Sequence, residues 1–591
     1  YFNYNFNPND KIFFSHSRLS IIDTSETGNQ PMFDPLTKNL IIFNGEIYNY
    51  KTLKKELLSL GVKFTSSSDT EIILLGYRQW GINVIKKLTG MFAFAIWDNS
   101  KKQIVLARDR LGEKPLYFYH DPGKSFIFSS NLKTILINKF IPIKVNHNNL
   151  PDYFYKGYVD GDKSIISNIK KLNPGNYLII QNHKIIKEAD YWNLSLYFNE
   201  KKKYSTEDAM FEELNSVLKP SIENQIKASD VPVGVFLSSG VDSSLISIMA
   251  NKFDKNIQSF TAGFIDQRFN EAELAKQIAK KFEIINKEFI IDELQFDQIM
   301  EPFNYIDEPY GDASLIPTFY LSRYTKDYTK VILSGDGGDE IFLGYETYRA
   351  DKIFQFLKFA PKPLVKLIGK GLSKINTKQG KVDLKYKLKA FINGLQFDFN
   401  RAHESWREIF NNDEIIKLTG DSEEKYLSNH WNDVKNCHYL DQASYIDIKT
   451  WLPNDILFKV DRMSMANSQE TRAPLLDHKL VEFAASLPIK YKMKLFKSKY
   501  ILKKYLSKKY NIKSGKKLGF TPPASNWIIT HHVKLKEYLK TSNLMNTHFL
   551  DNLFQEQLNK NNDHSYKIFT ILGYCKWFEN IKNIKQIKSS I

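Results

Sequence analysis

The first third of the chain consists of short apolar runs separated by turn residues. NLIIFNGEIY, MFAFAIWD, QIVLARDR and PLYFYHD are examples. Runs of this length that are rich in Ile, Val, Phe and Tyr and bounded by Asn, Gly or Asp predict β-strands. Apolar residues recur three and four positions apart in 51–61 and 69–81, which predicts helices there. The pattern therefore predicts an α+β domain of sandwiched sheets with helices.

A different pattern begins after residue 205, where apolar strands alternate with helical segments. VPVGVFLSSG is followed by VDSSLISIMANK, and IQSFTAGF is followed by NEAELAKQIAKKF. Such alternation predicts an α/β domain with a parallel, doubly wound sheet, and the sequence after about residue 352 predicts helical additions to it. The polar segment NEKKKYS at 199–205 separates the two patterns, so we predict domains at 1–200 and 201–591.

Positive charge is concentrated in one segment of the chain. The 591 residues include 83 Lys plus Arg and 66 Asp plus Glu, a net charge of +17, and residues 490–517 alone contain 12 lysines and no acid. We interpret this segment as a solvated, lysine-rich helix face, and a binding site for a polyanion is the alternative. No zinc-finger spacing or aromatic RNA-binding motif accompanies it, so we expect no nucleic-acid partner.

Cysteine content and apolar run length restrict the class of protein. Cys437 and Cys575 are too few for a disulfide framework or a cysteine-rich metal site, which favours a reducing compartment. The longest apolar runs, such as 91–97, are far shorter than the roughly 20 residues that a membrane helix needs. We expect a cytoplasmic protein without a membrane partner.

One loop of the predicted parallel sheet is suited to bind an anion. There an apolar strand leads into hydroxyl-bearing residues and a glycine, and a helix follows directly; the polar positions are Ser238, Ser239, Gly240, Asp242 and Ser243. Backbone amides, hydroxyls and the helix dipole together favour phosphate oxygens. Asp242 would repel phosphate unless a divalent cation lies between them, so the loop suggests Mg²⁺. An ordinary strand, turn and helix with an N-cap serine is the alternative.

A second loop repeats this design in VILSGDGGDE, where an apolar strand ends in glycines and acids. Because the carboxyl ends of parallel strands meet at one edge of a sheet, we expect the two loops to lie side by side. Asp242 and Asp339 would then share a metal, and Asp336 would be free to act as a general base. The polar run EPYGDAS at 308–314 supplies another loop nearby in sequence.

Together the motifs resemble the class B glutamine-hydrolysing asparagine synthetase family over nearly the whole chain. LSSGVDSS resembles the pyrophosphate loop of ATP pyrophosphatases, and LSGDGGDEIFLGY, DEPYGDASLIPT and DILFKVDRMSMANSQETRAPLLDH resemble the family's synthetase domain. RLSIID, FNGEIYNY, SSSDTE, GMFAFAIWD and ARDRLGEKPLY resemble its N-terminal-nucleophile glutaminase domain. The resemblance implies that the first half releases ammonia from glutamine and that the second half activates a carboxylate with ATP.

In the glutaminase domain the resemblance implies roles for five residues. Arg18 would pair with the carboxylate of glutamine, and Asp69 would hold its amino group. Asn44 and the backbone amide of Gly45 would form the oxyanion hole, and Glu46 would help to orient the substrate. Taken alone, the Asn-Gly pair would equally indicate a hairpin turn.

The family's nucleophile is a cysteine at the mature N-terminus, and this sequence begins at Tyr1 without one. Cys437 and Cys575 both lie in the synthetase half and do not replace it. The stretch ahead of RLSIID is also shorter than in the family. We expect the sequence to lack its extreme N-terminus, and the chain as written is not expected to hydrolyse glutamine.

In the synthetase domain the resemblance assigns substrate, metal and catalytic residues. Asp242 and Asp339 would bind Mg²⁺, Asp336 would deprotonate ammonia, and Lys517 would stabilise charge on the transferring phosphates, although Gly515 stands where relatives usually carry arginine. The residues implied to bind ATP are Ser238, Ser239, Gly240, Asp242, Ser243, Ala262, Ser334 and Gly335.

The predicted function is the ATP-dependent amidation of aspartate to asparagine through a β-aspartyl-AMP intermediate. Ammonia from glutamine would pass between the domains, and the family includes homodimers. Three alternatives stay open: an amidotransferase acting on another carboxylate such as a surface-polysaccharide uronate, a synthetase that uses free ammonia only, and a nucleic-acid-binding protein that uses residues 490–517.

Overall fold

The structure is a computed structural model. It describes residues 2–7, 12–266, 270–291, 293–359, 384–420, 428–512, 522–542, 546–559 and 562–590. Among these residues, no helix combines the length and the apolar character needed to span a membrane.

The first half contains the predicted antiparallel strands. Its strands are β1 (Phe2–Asn7), β2 (Ile12–Ser17), β3 (Met32–Phe33), β4 (Leu40–Ile47), β5 (Gly90–Asp98), β6 (Gln103–Arg108), β7 (Tyr117–Asp121), β8 (Ser125–Ser129), β9 (Ile169–Lys171), β10 (Asn176–Gln181) and β11 (Lys184–Asp190). One sheet has the order β11-β10-β6-β5-β4-β3, a second has the order β8-β7-β9, and β1 pairs with β2.

The alternation of side chains along β5 shows why these layers form. Phe92, Phe94 and Ile96 point to one face of the main sheet, where they pack in a core with helices α1 (Tyr50–Ser59) and α2 (Asp69–Trp80). Ala93, Ala95 and Trp97 point to the other face and pack in a core with Phe118 of the second sheet. Both faces of the strand are buried, so the predicted arrangement of sandwiched sheets with helices is confirmed.

The second half is built on a parallel sheet. Its strands are β12 (Val233–Phe236), β13 (Gln258–Phe264), β14 (Ile285–Ile291), β15 (Val331–Leu333) and β16 (Glu470–Arg472), in the order β14-β13-β12-β15-β16. Val235 and Leu333 pack in a core with α7 (Glu207–Lys227) and α8 (Val241–Phe253), whereas Phe264 and Ile291 pack in another core with α11 (Leu315–Thr325) and the C-terminal helices. Helices thus cover both faces, as predicted for a doubly wound sheet.

The remaining helices connect or cover these sheets. They are α3 (Val84–Lys87), α4 (Leu132–Ile137), α5 (Leu150–Lys156), α6 (Ser195–Asn199), α7 (Glu207–Lys227), α8 (Val241–Phe253), α9 (Ala272–Lys281), α10 (Phe296–Met300), α11 (Leu315–Thr325), α12 (Gly338–Ile341), α13 (Glu346–Leu357), α14 (Leu384–Gly394), α15 (Phe399–Ser405), α16 (Asn412–Thr419), α17 (Tyr439–Lys449), α18 (Leu457–Met465), α19 (His478–Ser486), α20 (Ile489–Lys492), α21 (Tyr500–Tyr510), α22 (Ala524–Thr541), α23 (Thr547–Leu558) and α24 (Ser565–Ser590). The predicted domain boundary between 200 and 201 lies between α6 and α7 and stays a prediction.

Two expectations need correction. The sequence after residue 352 is mainly helical in the described residues, but it also supplies β16, an edge strand of the parallel sheet. The lysine-rich segment is not a uniformly solvated face, because Lys492 is buried and pairs with Asp441 at 2.8 Å, and Lys499 is buried as well. Farther along, Lys504 pairs with Glu207. Acids elsewhere in the chain therefore neutralise part of the segment.

Candidate functional site

One cavity, with a volume of about 60 Å³, gathers every residue predicted to bind glutamine. These residues are Arg18, Asn44, Gly45, Glu46 and Asp69. β4 supplies the three consecutive positions, and Asp69 is the first residue of α2, whose N-cap Ser68 accepts a hydrogen bond from the Thr70 amide. Arg18 and Asp69, 51 positions apart in sequence, thus line one pocket.

The backbone at Gly45 admits no side chain. Its φ is +141°, and a Cβ atom built there would lie 2.0 Å from the carbonyl oxygen of Met91 on the neighbouring strand β5. Gly45 is opposite Phe92 in the β4–β5 register, and Asn44 is opposite Ala93. The Asn-Gly pair is therefore inside a strand and not at a hairpin turn, so the turn alternative is wrong.

Two buried acids line the pocket, Glu46 in β4 and Asp69 at the start of α2. Burial raises the pKa of Asp69 to about 6, although the Ile47 amide donates a hydrogen bond to its Oδ2 at 2.9 Å. Burial, together with the nearby carboxylates of Glu470 and Asp69, raises the pKa of Glu46 well above its ordinary value. An ammonium group bound beside these acids would favour their ionised forms, so the pocket suits a substrate that carries one.

Arg18 also lines the pocket, but its guanidinium contacts backbone carbonyls. It donates to the oxygens of Ile22 at 2.8 Å, Asp23 at 2.5 Å and Ser25 at 3.1 Å. Arg18 therefore holds the turn that follows it. This turn also contacts the second half, because Asp230 accepts a hydrogen bond from the Asp23 amide.

The second half contributes residues to this pocket that sequence reasoning missed. Met465 and Glu470 line it, and the guanidinium of Arg472, which is fully buried, lies 2.8 Å from Glu470 and 3.5 Å from Glu46. Arg472 also donates to the carbonyls of Gln225 and Ala228. No local pattern marks these residues, since ETR is too short and too polar to resemble a buried strand.

The two predicted nucleotide loops lie at the ends of adjacent parallel strands. β12 and β15 are hydrogen-bonded neighbours, and the loops after them touch, because a Cβ atom at Gly335 would lie 3.0 Å from both the Asp242 Cβ and the Ser243 amide. Close approach of this kind requires glycine. The structure therefore brings the two loops together at the carboxyl edge of the sheet.

Hydroxyl groups close the first loop around the start of α8. The Ser238 amide donates to Ser243 Oγ at 3.1 Å, the Gly240 amide donates to Ser238 Oγ at 3.2 Å, and the two hydroxyl oxygens are 2.8 Å apart. Ser239 donates to Glu271 at 3.0 Å. Amides and hydroxyls converge at the N-terminus of this long helix, which is the arrangement that favours phosphate.

Asp242 and Asp339 face each other across a lysine. Lys499 Nζ lies 2.6 Å from Asp339 Oδ1 and also contacts Asp242 Oδ2. Asp242 Oδ1 is buried and has no hydrogen-bond partner among the described residues, so it keeps a lone pair for a ligand. No group of three or more His, Cys, Asp or Glu side chains able to hold a metal occurs in the described part of the chain. Two carboxylates beside a phosphate loop fit Mg²⁺, which usually takes its remaining ligands from phosphate and water.

Asp336 lies in a second group of polar residues, centred on a lysine that the sequence did not single out. Ser334 Oγ donates to Asp336 at 2.7 Å. Lys459 Nζ donates to Ser314 at 2.7 Å and lies 3.3 Å from Asp312, both in the EPYGDAS loop. Burial lowers the pKa of Lys459, but the carboxylates of Asp312, Asp455 and Asp336 raise it more. Lys459 thus stays charged beside the predicted general base.

The other predicted residues are placed as follows. Ala262 lies in β13, next to the strand that carries the first loop. The Ser334 amide donates to the carbonyl of Arg472 at 2.8 Å, which fixes the start of the second loop. Gly515 and Lys517 lie outside the described residues. Neither Cys437 nor Cys575 lines the glutaminase pocket, and Cys575 is buried among the C-terminal helices.

Comparisons with known proteins match both halves. Residues 213–579 match the family model described as asparagine synthase, and residues 4–192 match the glutamine amidotransferase domain. Asparagine synthetase [glutamine-hydrolyzing] 1 of Bacillus subtilis (strain 168) is 31% identical, over 96% of this chain and 89% of that protein. Putative asparagine synthetase [glutamine-hydrolyzing] 2 of Methanocaldococcus jannaschii is 34% identical, over 78% of this chain and 91% of that protein.

Among solved structures, the glutamine phosphoribosylpyrophosphate amidotransferase of B. subtilis complexed with ADP and GMP matches 47% of this chain and 51% of its own, at 17% identity and a TM-score of 0.22. A score this low adds nothing to the assignment. The family matches and the curated relatives carry it, because they cover both halves in the same order. The chain belongs to the asparagine synthase family, whose function is ATP-dependent amidation with glutamine as the nitrogen donor.

Proposed function

We propose that the chain amidates aspartate to asparagine in two steps. In the first step, a carboxylate oxygen of aspartate attacks the α-phosphorus of ATP, the bond to the bridging oxygen breaks, and β-aspartyl-AMP and pyrophosphate form. In the second step, ammonia attacks the acyl carbon and AMP leaves. The relatives are named asparagine synthetases, which supports aspartate over a uronate as the acceptor.

The single observation that supports this proposal best is the meeting of two loops of different composition at one sheet edge. The first, with Ser238 and Ser243, offers amides and hydroxyls, and the second offers the acids Asp336 and Asp339. A nucleotide held there would have its pyrophosphate on the first loop. Ser239, Gly240, Ala262, Ser334 and Gly335 would complete its binding site.

Residues around the second loop would neutralise or stabilise the charges at the reacting centre. Asp242 and Asp339 would hold Mg²⁺, which when bound would neutralise charge on the phosphates. Asp336 would accept the proton that ammonia loses on attack, and the ammonium of Lys459 beside it would stabilise the negative charge on the oxygen of the tetrahedral intermediate. Lys517 would contribute positive charge to the leaving pyrophosphate.

Ammonia would come from the glutaminase pocket. Asn44 and the Gly45 amide would bind the oxyanion, and the carboxylates of Asp69 and Glu46 would orient the glutamine amino group. Arg18, once its guanidinium turns from the carbonyls it now contacts, would pair with the glutamine carboxylate. The nucleophile would be the N-terminal cysteine that the family resemblance implies.

The test measures AMP, pyrophosphate and asparagine formed by this chain with Mg-ATP and ammonium. Aspartate is compared with glutamate and with a uronate-bearing sugar nucleotide, and each reaction is repeated with glutamine in place of ammonium. We expect aspartate-dependent AMP and an equal amount of asparagine with ammonium. The variant Asp336→Asn tests the general base. Its amidation rate should be at least tenfold lower than that of the wild type, because it lacks the carboxylate that accepts the proton.

Two results would contradict the proposal. If aspartate is inert while a uronate or glutamate is amidated, the acceptor is wrong and the adenylation chemistry stands. If no carboxylate gives AMP, the assignment of the nucleotide site is wrong. Activity with glutamine but not with ammonium would exclude the alternative of a synthetase that uses free ammonia only.

A further inference from the structure

The two acids proposed to bind the metal already share one cation of the protein. Lys499 is 4% exposed, and its Nζ contacts Asp242 Oδ2 and lies 2.6 Å from Asp339 Oδ1. Asp242 and Lys499 are 257 positions apart in sequence. Asp242 is buried and the side chain of Asp339 is 13% exposed. Two carboxylates that share one ammonium repel each other, and the ammonium between them offsets that repulsion.

The backbone holds Lys499 in this position. Its φ is +50°, a left-handed conformation that is uncommon for lysine, and its amide donates at 3.2 Å to the carbonyl of Phe342, directly after the short helix α12 that carries Asp339. A Cβ atom at Gly344 would lie 2.1 Å from Lys499 Cε and 1.9 Å from Asp339 Oδ1. The lysine is thus a packed part of the site and not a surface side chain that reaches into it.

We propose that Lys499 is an internal counter-ion that competes with the divalent cation, so that metal binding displaces its ammonium from Asp242 and Asp339. A magnesium ion binds carboxylate oxygens at about 2.0–2.1 Å, which is the space that the ammonium occupies at these oxygens. The two cations also repel each other in a buried site. The inference rests on the proposed function only for the identity of the two metal ligands.

Competition of this kind has two consequences. Replacing Lys499 with an apolar residue removes the one ammonium seen in contact with both carboxylates among the described residues, so the protein becomes less stable when no metal is present. The same change removes the competitor, so the site binds a divalent ion more tightly without nucleotide. A lysine that serves only to pack the site would produce the first effect without the second.

The experiment uses the full chain with Lys499→Met and Mn²⁺ as the probe. Free Mn²⁺ is measured by its paramagnetic resonance signal during titration without nucleotide, and thermal unfolding is followed in EDTA and in excess Mn²⁺. We expect the variant to bind Mn²⁺ about tenfold more tightly, to unfold about 5 °C lower in EDTA, and to recover that difference in Mn²⁺.

Lys503→Met is the matched control. Lys503 lies in the first turn of α21, which follows Lys499, and is half-buried. The charges of Asp242 and Asp339 reach it, but it makes no ion-pair contact with either acid in the described part of the chain. Loss of its charge changes the general electrostatic potential without removing the contact. We therefore expect the control to change Mn²⁺ affinity less than threefold.

The outcomes separate this inference from the proposed function. Equal Mn²⁺ affinity in wild type and Lys499→Met overturns the inference, whether or not asparagine is made. A raised affinity together with inert aspartate supports the inference and overturns the proposed function. If Lys499→Met does not fold in EDTA, the double variant Lys499→Met with Asp339→Asn is measured instead. Removing one carboxylate together with the lysine should restore folding. A double variant as unstable as the single one overturns the inference.

Discussion

At the scale of single residues, the glutaminase pocket depends on a glycine and two acids that other residue types would not replace. Gly45 has a backbone conformation that disfavours any side chain and lies against the Met91 carbonyl. Asp69 and Glu46 are buried acids whose pKa values are raised chiefly by loss of solvent. The binding geometry is therefore maintained at some cost in stability, as is common at functional sites.

Gly45→Ala should destabilise the protein mainly through a steric clash. Because the new methyl group would meet a backbone oxygen at 2.0 Å, we expect the free energy of unfolding to fall by about 3 kcal/mol or more. Gly61→Ala is the control, since Gly61 has a φ of +79° but no atom within 4 Å of the added Cβ. Chemical denaturation should show a loss of about 1 kcal/mol for the control. Equal losses would show that only the backbone conformation matters.

Asp69→Asn should change how stability depends on pH. The pKa of Asp69 in the folded protein, about 6, lies above its ordinary value of 3.8, so the stabilisation from its proton is present below pH 3.8 and is lost as the pH rises through 6. That difference corresponds to about 3 kcal/mol. We expect the variant to be up to that much more stable than wild type at pH 7.5, and to differ little below pH 4, as measured by urea unfolding.

The surface variant Asp121→Asn provides the comparison for this pH series. Asp121 makes a solvent-exposed pair with Lys124 at 3.5 Å. Such pairs contribute little, so its substitution should alter stability by less than about 0.5 kcal/mol at either pH. A wild-type stability that does not fall between pH 4 and 6, relative to Asp69→Asn, would contradict the prediction.

At the scale of secondary-structure elements, the edge strand β16 links the parallel sheet to the first half. It pairs with β15, and its three residues include the buried Glu470 and Arg472. A buried arginine is tolerated here because its Nε donates to Glu470 and its Nη1 donates to the carbonyls of Gln225 and Ala228, while its Nη2 lies 3.5 Å from Glu46 without a hydrogen bond. Removing it would leave two carboxylates buried without a cation.

Arg472→Met should therefore reduce the free energy of unfolding by about 3–5 kcal/mol. Arg323→Met is a suitable control, because Arg323 also binds a glutamate through two nitrogens but is more than one third exposed. Its replacement should cost no more than about 1 kcal/mol. Urea unfolding monitored by circular dichroism distinguishes the two, and similar costs would mean that Arg472 is not required to neutralise the acids.

How far sequence predicts structure differs between elements. β5 and α2 follow from their own apolar periodicity, and the two glycine-rich loops follow from strands that end in polar residues. Lys459 and Lys499 do not, because nothing in the residues next to either lysine in sequence marks it as buried. What distinguishes them is a partner far away in sequence, such as Asp312 or Asp242. β16 could not be predicted either, because its partner strand β15 is far away in sequence.

At the scale of the whole molecule, the two halves are joined by buried polar contacts. Lys114 of the first half lies 3.1 Å from Asp461 of α18, and both side chains are at most 9% exposed. Arg462 of α18 donates to the carbonyl of Ser130 and to Asp307 at 2.7 Å. Polar contacts that are this well shielded fix the orientation of the halves, since any other arrangement leaves charges unpaired.

A double-mutant cycle on Lys114→Met and Asp461→Asn should give a coupling energy of about 2 kcal/mol in the free energy of unfolding. Each single variant leaves one buried charge, so the double variant should be less destabilised than the sum of the two. The exposed pair Lys87 and Glu56, 2.6 Å apart, should give less than about 0.5 kcal/mol in the same cycle. Additive effects at the buried pair would mean that it does not couple the halves.

The position of Arg472 limits how the two halves can be exchanged between relatives. Its carbonyl accepts a hydrogen bond from Ser334 in the nucleotide loop, while its guanidinium lies beside Glu46 in the glutamine pocket. A chimaera joined near residue 200 would separate Glu46 from Arg472. We expect such a recombinant to keep this contact only when the donor of the second half supplies an arginine with the same partners, so the two halves should be exchanged together.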